Sequence, residues 1–196
     1  VLTHLRSKGS HHSLVVCPAA VVTNWIREVQ AKSALNAHRL HGPGRDAALR
    51  SWRRNGGVAV TTYESLGWLE PHLGLVEELA CVVLDEAHYI KNPGALRAQR
   101  SARVIDRADR AVLLSGTPLE NRLLDLWSIV DFIQPNYLGN QEHFGQTYDL
   151  KVAEKEEGAA RIARRKLSAK LRPLLLRRIK KQVAKDLPDR VEQRLD

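Results

Sequence analysis

Two short polar signatures in this chain hold residues able to do chemistry, and each follows an apolar run. Val82-Val83-Leu84 leads into Asp85-Glu86-Ala87-His88, and further on Leu113-Leu114 leads into Ser115-Gly116-Thr117-Pro118. Short β-rich apolar runs of this kind read as strands buried on both faces, as in a parallel sheet beneath helices. In such sheets ligands sit beyond the carboxyl ends of the strands, where both signatures fall. Neighbouring strands would deliver Asp85, Glu86, His88, Ser115 and Thr117 to one edge. Adjacent carboxylates there suit a hydrated Mg²⁺ on one and, on the other, a water aimed at a phosphate and deprotonated there. Taken singly, Asp85-Glu86-Ala87-His88 also describes an ordinary strand-to-helix turn in which Asp85 or Glu86 caps the next helix. The second signature and the residues around both favour the chemical reading.

Elements that could position these groups are legible along the chain. Strands are expected at 14–17, 37–40, 58–61, 81–84 and 111–114. Between them, helical periods run over 21–31, where Trp25 and Val29 stand four apart on one face, over 45–54, and over 95–105. Residues 64–79 read as helical with an interruption at Pro71. Gly42-Pro43-Gly44 and Asn55-Gly56-Gly57 are turn clusters. Alternating strand and helix specifies an α/β fold, a parallel sheet flanked by helices. Past residue 120 strand signals fade. Residues 122–133 form an amphipathic helix stopped by Gln134-Pro135-Asn136, and the charge-rich 142–187 reads as an appended helical subdomain. Pro188-Asp189-Arg190 ends it, and 191–195 has the composition of a further strand.

Bulk properties narrow the function classes. At 196 residues, with 43% hydrophobic and 27% charged residues, the chain suits one good-sized core with an appendage. No apolar stretch approaches the ~20 residues a bilayer crossing needs, so no membrane partner is expected. Cys17 and Cys81 each fall in an expected buried strand, which suits small hydrophobes in a reducing compartment better than a disulfide. His11-His12 has no Cys or carboxylate at ligand spacing and His-Glu-x-x-His is absent, so a zinc hydrolase is excluded at this level. The formal charge of +9, 31 basic against 22 acidic residues, favours a polyanion, of which nucleic acid is the usual one. Trp52-Arg53-Arg54 reads as a core indole beside solvated arginines. The basic clusters at 161–166 and 177–181 read either as solvated helix faces laced with Glu154, Glu156 and Glu157 or as surfaces near nucleic acid.

Val83-Leu84-Asp85-Glu86-Ala87-His88-Tyr89-Ile90-Lys91-Asn92 resembles motif II of the Swi/Snf-type ATPases of helicase superfamily two. Leu114-Ser115-Gly116-Thr117-Pro118-Leu119-Glu120-Asn121 resembles their motif III, Val15-Val16-Cys17-Pro18 through Asn24-Trp25 their motif Ia, and Thr61-Thr62-Tyr63-Glu64 their motif Ib. Leu124-Asp125-Leu126-Trp127-Ser128 and Leu174 to Lys180 are similar to further family stretches. Ser-Gly-Thr-Pro followed by Leu-Glu-Asn, in place of the Ser-Ala-Thr of RNA helicases, points within the resemblance to double-stranded-DNA translocases.

The resemblance implies a RecA-like first lobe over 1–120, a helical protrusion over 121–190, and at 191–196 the start of a connection to a second RecA-like lobe. It implies ATP and Mg²⁺, with Asp85 holding the metal and Glu86 activating water. Asp85, Glu86, Ala87 and His88 would line the nucleotide, His88 sensing the γ-phosphate, and Ser115, Gly116 and Thr117 would couple that state onward. Helix starts and backbone N–H groups suit phosphates without reading bases. The turn at Ala19, Ala20 and Thr23 and the turn at Thr61 and Thr62 are therefore the expected DNA contacts, although Thr62 serves equally well as a helix cap. Duplex DNA and the proteins to be displaced from it are the expected partners, in bacterial cytoplasm or a nucleus. The family's phosphate-binding loop, a Gly-rich turn ending Gly-Lys-Ser/Thr, has no match in these residues. The expectation is a piece cut just downstream of that loop, inactive alone, since the arginine finger would also belong to the second lobe. An RNA helicase, a restriction-type motor and a non-catalytic nucleic-acid-binding scaffold remain alternatives.

Overall fold

The computed structural model describes residues 1–7, 11–76, 78–116, 123–148 and 157–176. Its five strands are β1 (His12–Cys17), β2 (Ala37–Arg39), β3 (Gly57–Thr62), β4 (Leu79–Leu84) and β5 (Ala111–Leu113). They form one sheet in the order β2-β3-β1-β4-β5, every pair parallel. The chain winds from β1 outward to β2, back to β3, and then crosses β1 to lay β4 on its far side. That crossover sets the carboxyl ends of β1 and β4 next to each other, with Val16 opposite Leu84, and Leu84 opposite Leu113 of β5.

Alternation along the strands builds two apolar layers. Leu14, Val16, Ala59, Val82 and Leu84 face one way and pack with Trp52, Leu66, Leu69 and Val104. Those partners come from α3 (Arg45–Asn55), α4 (Leu66–Leu69) and α5 (Leu96–Ile105). Val15, Cys17, Val58, Val60, Cys81 and Val83 face the other way and pack with Leu5, Val22 and Val29. These belong to α1 (Leu2–Ser7) and α2 (Val22–Lys32). Burial on both faces explains why β1, β3 and β4 read as unbroken apolar runs. The Gly56-Gly57 pair is required by shape. Gly57 has φ 103°, and a Cβ there would lie 2.3 Å from the Asn36 carbonyl oxygen.

The span read as one interrupted helix over 64–79 is corrected by the structure. Only Leu66–Leu69 is α-helical; Glu70–Leu75 tightens into a 3-10 turn containing Pro71, which has no N–H to offer a helix interior. Leu79 and Ala80 belong to β4, drawn into the sheet because Leu79 pairs with His12 of β1. Beyond β5 come α6 (Leu123–Ile133), α7 (Gln141–Tyr148) and α8 (Glu157–Leu171). Two compact units result, 1–145 and 146–196. α6 packs Phe132 against the sheet's core, and its Asp125 Oδ2 lies 3.3 Å from Lys91 Nζ. α7 starts on Asn140, whose Oδ1 accepts the His143 N–H at 3.0 Å. In the second unit α8 buries Leu167 and Leu171 and exposes Arg161, Arg164, Arg165 and Lys166. The cluster at 177–181 and the expected strand at 191–195 lie outside the described residues. Among the described residues no helix is long and apolar enough to cross a membrane.

Candidate functional site

The two signatures meet at the carboxyl edge of the sheet. β4 ends at Leu84, and the Asp85 N–H continues the ladder by donating to the Val16 carbonyl at 2.8 Å. The Leu114 N–H likewise donates to Leu84 O at 2.8 Å. Glu86 then adopts φ 53°, ψ 57°, a left-handed conformation uncommon for a residue with a side chain. Such a residue stores on the order of 1–2 kcal/mol of backbone strain. The bend it makes brings the Ala87 N–H to the Leu114 carbonyl at 2.8 Å. The two signatures are therefore tied to each other through main chain, one residue before Ser115.

Asp85 is half-buried and closely held. Its Oδ2 accepts the Trp25 indole N–H at 2.8 Å, and its Oδ1 accepts the Glu86 N–H at 3.0 Å. Its carbonyl accepts the Tyr63 hydroxyl at 2.7 Å. Burial, and then the Asp85 charge, push the Tyr63 hydroxyl upward, so it stays protonated and keeps donating. The same two causes, burial first, raise the neighbouring Cys17 thiol to about 12, and its Sγ–H points at the Thr61 carbonyl, 3.6 Å away. Glu86 and His88 differ from Asp85 in facing outward. His88 Nδ1 lies 3.2 Å from Glu86 Oε2, with both side chains more than two-fifths exposed. A carboxylate open to water beside one locked in place is an arrangement able to divide water activation from metal holding.

The donors present fit a hard cation that is shared with a ligand. Each Asp85 oxygen accepts one N–H and keeps further lone-pair capacity. Among the described residues no three His, Cys, Asp or Glu side chains gather to hold a metal by themselves. One carboxylate, water and substrate phosphates are what Mg²⁺ takes in nucleotide sites.

Ser115 is half-buried and Gly116 exposed just beyond this joint, whereas Thr117 lies outside the described residues. Ala19, Ala20 and Thr23 are exposed directly after β1, in the 3-10 turn Ala19–Val21 and the first turn of α2, on the same sheet edge as Asp85. Thr61 and Thr62, the other expected DNA contacts, close β3. Both are fully buried. Thr61 Oγ1 donates to Leu40 O at 2.9 Å, while Thr62 Oγ1 donates to Ser65 Oγ at 3.0 Å and accepts the Ser65 N–H at 3.3 Å. The Thr61 hydroxyl is thus committed to the chain just after β2, and the Thr62 hydroxyl to the turn that leads into α4. Sequence alone assigned Trp25 only to a helix face and Tyr63 only to a motif; neither carried a signal for its bond to Asp85. A cavity of about 380 Å³ lined by Gln30, Asn36, His38, Ser51 and Asn55 opens at the opposite, amino-terminal end of the strands, away from both signatures.

Comparison with known proteins gives concordant findings. The family model described as SNF2-related domain matches residues 2–196. The Zorya protein ZorD of Escherichia coli O139:H28 is 35% identical over 204 residues, covering 92% of this chain and 18% of that protein. The TATA-binding protein-associated factor BTAF1 of Arabidopsis thaliana is 32% identical over 194 residues, covering 92% of this chain and 9% of its own length. The solved Sulfolobus solfataricus SWI2/SNF2 ATPase core in complex with dsDNA superposes with a TM-score of 0.73 at 30% identity, covering 96% of this chain and 38% of that one. The parallel sheet and flanking helices are thus RecA-like, as expected. The chain spans less than a fifth of the length of the curated relatives it matches.

Proposed function

The chain belongs to the SNF2-related domain family, and from that premise we propose that it is part of an ATP-hydrolysing motor that moves along double-stranded DNA and displaces proteins bound there. The observation that carries this is the joint between the signatures: Asp85-Glu86 and Leu114-Ser115 lie on adjacent parallel strands at one edge, bonded through Ala87 N–H and Leu114 O at 2.8 Å. Similarity to an ATPase core solved with double-stranded DNA supports duplex DNA as the track. Similarity to a TATA-binding protein-associated factor supports a DNA-bound protein as the object displaced.

In this proposal Asp85 holds Mg²⁺, which when bound offsets the charge of the ATP phosphates. Glu86 orients a water toward the terminal phosphate and takes its proton, its own carboxylate being open to solvent and free of the bonds that fix Asp85. His88, 3.2 Å from Glu86 through Nδ1, steadies that carboxylate and faces the departing phosphate. Ser115, Gly116 and Thr117 receive the change through the Ala87–Leu114 bond. Ala19, Ala20 and Thr23 offer a helix start to DNA phosphates, supported by the net charge of +9. A second RecA-like lobe completes the nucleotide site, and the helical unit that begins at residue 146 forms the protrusion. Such a motor works where DNA is, in bacterial cytoplasm or a nucleus.

The test uses the full-length protein. Glu86→Gln retains ATP binding and lowers turnover by about 10²–10⁴-fold, the usual worth of a general base. Normal hydrolysis by this variant removes Glu86 from that role. Stimulation by duplex DNA above single strands and RNA supports the DNA motor. Preferential stimulation by RNA replaces it with an RNA helicase, and DNA binding without any hydrolysis replaces it with a scaffold.

A further inference from the structure

Asp85 is gripped from both faces of the sheet. Trp25 packs in the layer of Val15, Val60 and Val83, and its indole N–H reaches the carboxylate at 2.8 Å. Tyr63 is buried in the opposite layer, and its hydroxyl reaches the Asp85 carbonyl at 2.7 Å. One grip fixes the side chain; the other fixes the peptide that enters the left-handed Glu86. Indole N–H is a donor only, so this bond cannot persist with its roles exchanged. A charged acceptor makes it stronger than a neutral pair, and partial burial strengthens it further.

Both donors sit beside turns at the site edge. Trp25 follows the exposed Thr23 by two residues on the same rigid helix, so a shift of the α2 start moves the indole with it. Tyr63 follows Thr62, whose hydroxyl fastens the next turn, and its ring stacks on Tyr89 at 5.3 Å and 6°. Tyr89 in turn belongs to the 3-10 turn Ala87–Ile90 that follows Glu86.

We propose that Trp25 is a positioning residue through which DNA contact at the α2 start sets the orientation of Asp85, and that Tyr63 is a positioning residue that holds the Asp85–Glu86 peptide in the geometry this needs. Trp25 acts on the carboxylate, and Tyr63 acts on the Asp85–Glu86 peptide. This rests on the motor reading above.

The experiment compares Trp25→Phe and Tyr63→Phe in the full-length protein, each keeping a ring and removing one donor. Trp127→Phe is the matched control, since it removes an indole N–H bonded to Gly139 O at 2.9 Å, away from Asp85. The first readout is equilibrium binding of a fluorescent ATP analogue across a Mg²⁺ titration; the second is the ratio of ATPase rates with and without duplex DNA. Trp25→Phe raises the Mg²⁺ concentration for half-maximal nucleotide binding about tenfold, the lower range for losing a partner of a metal ligand. It also lowers DNA stimulation about tenfold with DNA affinity retained. Tyr63→Phe lowers DNA stimulation while leaving the Mg²⁺ requirement in place, and Trp127→Phe moves neither. A folded Trp25→Phe with a wild-type Mg²⁺ requirement and wild-type stimulation overturns the inference, even if its melting temperature falls. Should Trp25→Phe not fold, wild-type stimulation in Tyr63→Phe overturns it instead. Wild-type protein that shows no Mg²⁺-dependent nucleotide binding sinks the motor reading, and the inference with it. Normal wild-type behaviour matched by both variants sinks the inference alone.

Discussion

Glu86 is the residue at which folding and chemistry conflict. Its left-handed backbone favours glycine, yet its carboxylate is the group open to water beside the fixed Asp85. Glu86→Gly is expected to relieve strain and stabilise the fold by up to about 1 kcal/mol, read by urea denaturation, while turnover is lost. A destabilised variant would show that the local contacts of Glu86 outweigh its strain. Cys17, one residue past Val16, is the opposite case: a potential nucleophile silenced by place. Burial and the Asp85 charge hold its thiol near 12. Iodoacetamide at pH 8 should therefore leave Cys17 unlabelled in the folded protein and label it in urea, as mass spectrometry of the peptides will show. The position of the acid pair at a strand end was legible because an apolar run leads straight into Asp-Glu-Ala-His, and the second signature favoured chemistry over a simple capping turn there. The partners of Asp85 were not, since Trp25 and Tyr63 stand 60 and 22 residues away in the chain.

Elements were read well where burial on both faces left an unbroken apolar run, and less well where turn chemistry competed. β1, β3 and β4 were visible as such runs. The start of β4 was not, because Leu79-Ala80 continues a helix pattern as readily as a strand until pairing with β1 decides it. Thr61 and Thr62, expected from their motif at a DNA-contacting turn, have their side chains buried at the end of β3. β2 holds a pH-sensitive tie. His38 is buried with Nε2 3.0 Å from the Gly56 carbonyl, and burial pushes its ionisation below the ordinary range. The folded state thus favours the neutral ring, while the unfolded chain takes up a proton near pH 6.5. Stability from this group is complete above the unfolded value and is lost progressively as pH falls from there through the lowered folded value. Thermal melts at pH 7.5 and 5.5 should show a decline that is smaller in His38→Gln; equal declines would remove His38 as a cause.

The whole molecule joins a sheet whose acidic tip suits a metal-bound phosphate to a surface whose net charge of +9 suits a polyanion. Attraction of that kind is carried by phosphates and counterion release, without base information. The chain is expected to bind duplexes of unrelated sequence with similar affinity. That affinity should fall at least about tenfold between 50 and 200 mM salt, measured by fluorescence anisotropy. A salt-insensitive or strongly sequence-selective affinity would contradict it. At this scale α6 is grouped with the sheet, and its Phe132 packs against the sheet's core.

The sequence by itself determined the α/β alternation, the central parallel strands and the sheet edge that receives Asp85 and Glu86. Each of these follows from local period, composition and the short reach between a strand and its next turn. Only the tertiary structure decided how that edge is built. The β1–β4 crossover, the left-handed turn at Glu86 and the grip of Trp25 and Tyr63 on Asp85 all depend on groups distant in the chain. No local pattern encodes such meetings, because they arise from packing two apolar layers against one sheet.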